Sequence, residues 1–321
     1  MNANNAPWVI VLAAGSGTRL SSLTVGTDGV VVPKQFCSLR GGRSLLLDTI
    51  DRALHLTSRE RIVVVVAADH ERWWQPQLAC LPSENVIVQP RNRGTTAGLL
   101  LPLSHVLARD PAAHVAVLPS DHHVAEPTVL NGAMHTALRQ VAAEPDKVVL
   151  LGISPDSPDT EYGWILPLST ERSLQPVAAF VEKPPLVRAT VLMDAGAVWN
   201  SFLFAASART LWQMCARHAP EVAAALTNVR RHDERSLDAV YSVLPAIDVS
   251  ATVFGGSASD LLLLRVPSCG WTDLGTPSRV VECVRRLERR RPPQRAQWFA
   301  TVDLARAALH PASSRLVAVG A

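Results

Sequence analysis

The chain has 321 residues, of which 48% are hydrophobic and 18% are charged, and its formal net charge is +3. This composition excludes wholesale disorder and fits one large domain with or without a small appendage. The net charge is too small to imply a nucleic-acid partner, and no apolar run approaches the roughly 18 residues that a membrane span needs. The five cysteines form no CxxC pair, which favours reduced thiols in a cytoplasmic protein over a disulfide framework or a zinc site.

Apolar runs alternate with helical segments through the first 150 residues. The pattern predicts strands at 8–13, 62–67, 86–88, 115–118 and 148–151, and helices at 45–56, from residue 95 to about 108, and at 128–143. This alternation predicts an α/β fold with a Rossmann-like, doubly wound and mostly parallel sheet. In such sheets ligands bind beyond the carboxyl ends of the strands, where polar residues cluster in this chain.

The second half has a different pattern. It predicts strands at 162–165 and 177–181, an apolar stretch after Asn200, and helices at 187–195, 207–217 and 236–244. We expect a substrate-binding lobe on the same sheet rather than an independent domain. A Pro/Arg-rich stretch at 289–295 separates a short C-terminal piece that is predicted to be helical near 296–309.

A glycine-rich turn follows the first predicted strand, and its segment ends in Arg19. Gly15 and Gly17 allow close approach to the backbone, and successive N–H groups in such turns form anion-binding concavities. The turn lacks the third glycine of a dinucleotide fingerprint and the Gly-Lys-Ser/Thr of a Walker A loop. A tight structural turn explains the glycines equally well, but the two cations Arg19 and Lys34 favour a triphosphate.

Other polar residues at predicted strand ends each have two interpretations. Asp121 and Asp273 are suited to a divalent ion such as Mg²⁺, which usually takes one or two protein carboxylates together with phosphate oxygens. Each is also compatible with a turn or a helix cap. Glu182 and Lys183 precede two prolines and are either site residues or a solvated surface pair.

Eight motifs occur in order and together resemble the nucleotide-sugar pyrophosphorylases. They are LAAGSGTRL (12–20), PKQF (33–36), QPRNRGT (89–95), LPSDHH (118–123), TEYGWI (160–165), FVEKP (180–184), WNS (199–201) and GWTDLG (270–275). The resemblance spans about 8–275 and is strongest toward members that use GTP and mannose 1-phosphate. It implies a nucleotidyltransferase domain at 1–276, with a nucleotide half at 1–150 and a sugar-phosphate half at 151–276, and a short C-terminal helical segment at 277–321.

The resemblance also implies a reaction in which a sugar 1-phosphate attacks the α-phosphorus of a nucleoside triphosphate and releases pyrophosphate. Arg19, Lys34, Asp121, Lys183 and Asp273 would then be catalytic, with Mg²⁺ held by Asp121 and Asp273. The remaining assignments are nucleotide binding by Ala13, Ala14, Gly15, Gly17, Thr18, Gln89, Gly94 and Thr95, and sugar-phosphate binding by Gly163, Glu182, Lys183 and Asn200.

Three departures from the family pattern concern the loop and the sugar side. The segment from Arg19 to Lys34 is longer than in the family. Phe202 stands where the family usually has glycine after Asn-Ser. The stretch 250–255 replaces the family's Asp-Tyr-Ala-Val-Met-Glu, which predicts the loss of two carboxylates from the sugar side.

Alternatives remain open at this point. The same chemistry on another sugar 1-phosphate or nucleotide is one, and a non-catalytic regulatory subunit is another. A dinucleotide-dependent oxidoreductase is disfavoured by the missing third glycine. We expect no nucleic-acid or membrane partner. The arginines near the C-terminus fit a solvated helix face or a subunit contact, and a homodimer is compatible with the latter.

Overall fold

The structure is a computed structural model and describes residues 6–26, 29–39, 41–227 and 234–289. Its strands are β1 (Trp8–Ala13), β2 (Ile62–Ala67), β3 (Val86–Gln89), β4 (His114–Pro119), β5 (Val148–Ile153), β6 (Trp164–Pro167), β7 (Leu174–Val181), β8 (Val198–Ser207) and β9 (Leu261–Val266). Its α-helices are α1 (Leu45–Leu54), α2 (Glu71–Leu78), α3 (Gly94–Arg109), α4 (Pro127–Ala143), α5 (Leu186–Asp194), α6 (Ala208–His218), α7 (Pro220–Thr227), α8 (Glu234–Val243) and α9 (Pro277–Arg289). No helix within the described residues has the length and apolar character that crossing a bilayer requires.

The elements predicted in the first half are confirmed, with small shifts at their ends. β2 is a run of β-branched residues that is buried throughout, as expected of a strand covered on both faces. The Ser44 hydroxyl accepts a hydrogen bond from the backbone N–H of Leu47 at 3.2 Å and so caps the N-terminus of α1. The helix ends at Leu54, two residues earlier than predicted.

All strands belong to one nine-stranded sheet with the order β3-β2-β1-β4-β8-β5-β9-β7-β6. The first four strands are parallel to one another. β8 then runs antiparallel to both β4 and β5. A strand from the second half therefore lies between two strands of the first half, so both halves share one sheet.

The α/β class is confirmed, but the prediction of a mostly parallel sheet is wrong beyond β4. Parallel neighbours need a long crossover, whereas a short turn places consecutive strands antiparallel. β6 and β7 are separated by only a short turn and pair antiparallel. β7 and β9 also pair antiparallel, and in this part of the sheet β5 and β9 form the parallel pair. The sheet is mixed.

Helices cover both faces of the sheet. Side chains alternate along β1, so that Val9 and Val11 belong to one hydrophobic cluster and Ile10 to the other. The first cluster includes Leu46 of α1 and Met134 of α4. The second includes residues of α3, α6 and α7. The doubly wound arrangement follows from strands that are apolar on both faces.

Several elements were not predicted from the sequence. They are α2, α7, β9 and a π-helical turn at Val249–Phe254. α9 lies within the predicted C-terminal segment and buries Val280, Val284 and Leu287 against the first cluster. The helix predicted near 296–309 lies outside the described residues. The domain boundary at 276 stays a prediction.

Candidate active site

A cavity of about 400 Å³ opens where β1, β3 and β4 end, and residues of both halves line it. We call its lining residues before 150 the first-half wall and those after 150 the second-half wall. The first-half wall includes Ala14, Gly15, Arg19, Gln89, Gly94, Thr95 and Asp121. The second-half wall includes Gly163, Glu182, Lys183, Asn200, Phe202, Asp248, Ser250 and Asp273. Residues predicted from separate motifs thus lie around one volume.

The glycine loop is held from below by the PKQF motif. The amide of Gln35 is buried and donates hydrogen bonds to the carbonyls of Ala13 at 2.9 Å and Gly15 at 2.8 Å. Gly17 has φ +59°, and a Cβ there would lie 3.2 Å from the Lys34 Cβ. Gly17 therefore serves the close packing of Lys34, while Gly15 lines the cavity and has open space around it.

Lys34 lies between the two predicted metal ligands. Its Nζ is 2.8 Å from Oδ2 of Asp121 and donates to the backbone carbonyl of Asp273 at 2.6 Å. Burial is the largest single effect and raises the pKa of the Asp121 carboxyl, but the Lys34 ammonium, His122 and the hydrogen bonds that Asp121 accepts together lower this pKa below its ordinary value. Burial lowers the pKa of neighbouring His122 to about 4, so its imidazole is neutral at pH 7.

Asp273 is fixed by an arginine that was not predicted. Its Oδ1 accepts from the Tyr162 hydroxyl at 2.8 Å, from Arg279 at 2.9 Å and from the Gly275 N–H at 3.0 Å. The guanidinium of Arg279 also pairs with Asp159 and lies 3.9 Å from the centre of the Tyr162 ring. Burial raises the pKa of Asp273, but Arg279 and other cations keep it below its ordinary value. Both aspartates are therefore ionised.

The two carboxylates fit a divalent cation of the Mg²⁺ type. The Lys34 ammonium contacts the Asp121 carboxylate and the backbone carbonyl of Asp273, so this position stabilises positive charge. Within the described residues no three His, Cys, Asp or Glu side chains cluster as a metal site. One or two carboxylates are the usual protein contribution to Mg²⁺ when phosphate oxygens supply further ligands.

Gln89 and the 94–96 turn form one end of the first-half wall. Gln89 is buried, and its Oε1 has no hydrogen-bond partner among the described residues. Such an atom costs free energy unless a ligand donor reaches it. Gly94 has φ +77°, and a Cβ there would lie 2.5 Å from the carbonyl oxygen of Ile247. The segment before the π-helical turn therefore packs directly onto this wall.

The second-half wall carries two carboxylates near one another. Glu182 is largely buried, and its Oε2 has no partner among the described residues. A Cβ on Gly163 would lie 2.5 Å from this oxygen, so only glycine leaves room for it. Burial raises the pKa of Glu182, and the charge of Asp248 raises it further, against the opposing effect of Lys183. Lys183 Nζ is 3.7 Å from Glu182 Oε1.

The altered stretch 250–255 predicts fewer carboxylates at this wall, but Asp248 supplies one that the prediction did not include. It precedes the altered stretch 250–255 and lines the cavity. Its Oδ1 caps the π-helical turn by accepting from the Ala251 N–H at 2.9 Å, and its Oδ2 is 3.3 Å from the Thr95 hydroxyl. The sequence signal for this residue was weak: aspartate is a preferred helix N-cap residue, and Asp248 stands just before the stretch 250–255.

Most predicted site residues line the cavity, and Ala13, Gly17, Thr18 and Lys34 do not. Those four lie at or beneath the loop rather than on its open side. Arg19 lines the cavity but forms an exposed ion pair with Glu161 at 2.7 Å. Sequence reasoning missed Gln35, Asp248, Glu161 and Arg279. Gln35 is part of the PKQF motif, whereas no local sequence pattern indicated that Arg279 would contact Asp273.

Comparisons with known proteins identify the family of the chain. The nucleotidyl transferase family profile matches residues 8–290. The alginate biosynthesis protein AlgA of Pseudomonas syringae pv. tomato is 31% identical over 288 residues, covering 85% of this chain and 57% of its own length. The mannose-1-phosphate guanylyltransferase ManC of Salmonella typhimurium is 30% identical over 293 residues, covering 86% of this chain and 59% of its own length.

A solved structure described as mannose-1-phosphate geranyltransferase from Thermus thermophilus superposes with a TM-score of 0.72 at 30% identity. The match covers 84% of this chain and 76% of that one. The chain belongs to the nucleotidyl transferase family. It spans somewhat more than half the length of the curated relatives named above.

Proposed function

We propose that the protein transfers a nucleotidyl group from a nucleoside triphosphate to a sugar 1-phosphate and releases pyrophosphate. GTP and mannose 1-phosphate are the proposed pair, because relatives carry guanylyltransferase names and the WNS and PKQF motifs resemble that branch. The observation that carries the proposal is the shared cavity, which brings the glycine loop, both aspartates and the Glu182–Lys183 pair together.

In the proposed reaction, a phosphate oxygen of the sugar 1-phosphate forms a bond to the α-phosphorus, and the bond from that phosphorus to the bridging oxygen of pyrophosphate breaks. The nucleophile is already an anion, so no side chain must remove a proton. The protein's tasks are alignment and neutralisation of charge. Cationic side chains near the cavity are suited to both tasks.

The first-half wall is proposed to hold the nucleotide. Ala14 and Gly15 offer backbone to the phosphates, and Arg19 provides a fork of donors once it leaves Glu161. Gln89 supplies an unpartnered oxygen for a base donor, and Gly94 with Thr95 borders the base and ribose. Ala13, Gly17 and Thr18 belong to the loop itself and are proposed to shape it around the phosphates, and Lys34 supplies positive charge next to Asp121.

The second-half wall is proposed to hold the sugar phosphate. Lys183 would neutralise its phosphate, while Glu182 and Asn200 would bind sugar hydroxyls in the space that Gly163 leaves. Asp121 and Asp273 would hold Mg²⁺, which when bound withdraws charge from the reacting phosphates. Arg279 and Tyr162 keep Asp273 ionised and oriented for that role.

The test is pyrophosphate release across a matrix of nucleoside triphosphates and sugar 1-phosphates, with Mg²⁺ and with a chelator. We expect release with GTP and mannose 1-phosphate in the presence of Mg²⁺. Release with GTP and a different sugar would support the chemistry and reject mannose. Absence of release from every pair would reject the enzyme and favour a binding role for this fold.

A further inference from the structure

Three residues other than glycine have left-handed backbone angles within the described chain, and all three adjoin the cavity. They are Lys183 with φ +43°, Phe202 with φ +58° and Leu274 with φ +51°. Lys183 and Phe202 line the cavity, and Leu274 follows Asp273. Side chains with a Cβ rarely adopt this region, and such residues persist where the surroundings enforce them, often at functional sites.

Phe202 is the least expected of the three, because a bulky aromatic residue gains nothing locally from this conformation. The left-handed turn lets the Phe202 N–H donate to Oδ1 of Asn200 at 3.1 Å. Nδ2 of Asn200 is then 3.4 Å from the Ser250 hydroxyl. The turn therefore orients the Asn200 amide, and a glycine at position 202 would do this without strain.

The ring of Phe202 is what a glycine would not provide. It is partly buried, lines the cavity beside Asn200, and packs edge to face with Phe204 at 6.0 Å. Phe204 in turn packs on Phe254 of the π-helical turn at 5.3 Å. This aromatic row fixes the ring at the second-half wall, next to the segment that carries Asp248 and Ser250.

We propose that Phe202 is a specificity-determining residue that limits the size of the sugar 1-phosphate. Its ring takes up space at the second-half wall and presents an apolar surface to the cavity. An unsubstituted hexose 1-phosphate then fits, whereas an acetamido substituent on the sugar ring would meet the aromatic ring. This inference rests on the proposed function, because it places a sugar 1-phosphate at this wall.

The test compares wild type with Phe202→Gly, Phe202→Ala and Phe202→Leu. Calorimetry measures binding of mannose 1-phosphate and of N-acetylglucosamine 1-phosphate, and pyrophosphate release is measured with the same sugars and GTP. We expect wild type to prefer the unsubstituted sugar, and Phe202→Gly to reduce that preference at least about tenfold. Phe202→Leu retains apolar bulk and should keep most of the preference.

A stability measurement checks that backbone strain is present at this residue. Phe202→Gly should unfold at a higher urea concentration than Phe202→Ala, because only glycine tolerates the left-handed turn. If Phe202→Gly fails to fold, the Phe202→Ala and Phe202→Leu pair still tests the sugar preference. An equal preference in wild type and in whichever small variant folds would overturn the inference.

The outcomes separate this inference from the proposed function. A shifted binding preference without pyrophosphate release from any pair supports the role of Phe202 and rejects the enzyme. Release with an unchanged sugar preference supports the enzyme and rejects the role of Phe202. Failure of wild type and variants to bind either sugar phosphate rejects the inference as well.

Discussion

The two walls of the cavity are built in different ways. The first-half wall consists of residues that follow parallel strands, as Ala14 follows β1, Asp121 follows β4 and Gln89 ends β3. The second-half wall takes Asn200 and Phe202 from within β8 and Lys183 from a left-handed turn after β7. The direction of the parallel strands positions the first-half wall, whereas contacts between segments that are distant in sequence position the second-half wall.

This difference has energetic consequences. A residue at the carboxyl end of a buried parallel strand is positioned by the hydrophobic core, which forms independently of the polar contacts at the site. The second-half wall is positioned by polar contacts that must form together, such as Arg279 with Asp159 and Asp273. We therefore expect substitutions of the first-half residues at strand ends to affect mainly turnover, and second-half substitutions to affect stability and sugar binding together.

The largest expected effect is on turnover from the first-half wall. Asp121→Asn keeps the size of the side chain but removes the charge that faces Lys34 and the proposed metal. Pyrophosphate release should fall about 100-fold or more, and some urea stability should be lost as well, because the buried Lys34 ammonium keeps only a neutral hydrogen-bond acceptor at this position. The control is Asp69→Asn, whose side chain is 81% exposed and should behave as wild type. If Asp121→Asn kept turnover within threefold of wild type, Asp121 would have no role in the reaction.

The next effect is on stability and belongs to the second-half wall. Arg279→Met leaves Asp159 and Asp273 without their shared cation in a largely buried place, which should cost about 3 kcal/mol in the free energy of unfolding. Arg286→Met on the same helix removes a 58% exposed partner of Glu282 and should cost less than about 1 kcal/mol. Urea denaturation compares the two variants, and equal losses would show that Arg279 has no special role.

The sequence predicted the first-half wall better for the same structural reason. The strand that precedes Asp121 and the glycine loop after β1 are visible as local patterns of apolar and small residues. Their meeting at one edge follows from parallel strands joined by helices. Gln89 could be placed at that edge without long-range information, because it is the last residue of β3.

The second-half wall could not be derived in this way. β8 enters the sheet between β4 and β5 and runs antiparallel to both, and no local pattern specifies that insertion. Asp248 lines the cavity and Arg279 contacts Asp273, and both come from segments that carry no strong motif of their own. Their positions follow from tertiary packing, which only the folded chain reveals.

A smaller effect tests how the two walls meet. Gly94→Ala and Gly41→Ala both place a side chain at nearly the same left-handed angle, φ +77° and +76°, so each should lose about 1–2 kcal/mol. The new Cβ at 94 would also lie 2.5 Å from the Ile247 carbonyl, whereas at 41 nothing lies within 4 Å. We expect Gly94→Ala to lose about 1 kcal/mol more than Gly41→Ala and to raise the KM for the nucleotide. Equal losses in urea denaturation would mean that Ile247 moves aside freely.

The smallest effect is a pH dependence of the second-half wall. Burial and the charge of Asp248 raise the pKa of Glu182 above its ordinary value of 4.5, against Lys183. As pH falls through the raised pKa, the carboxyl becomes protonated and accepts sugar hydroxyls less well, so the KM for the sugar 1-phosphate should rise severalfold while the pH is still above 4.5.

The stability of the fold changes with pH in the opposite direction. A raised pKa of Glu182 gives stability that is fully present below pH 4.5 and is lost as pH rises through the pKa of the folded state. Asp248→Asn removes the neighbouring charge, so the rise in KM should begin at a lower pH and stability at pH 7 should increase. Asp194→Asn on exposed α5 is the control, and a KM profile that is the same in both variants would place Glu182 outside the sugar contacts.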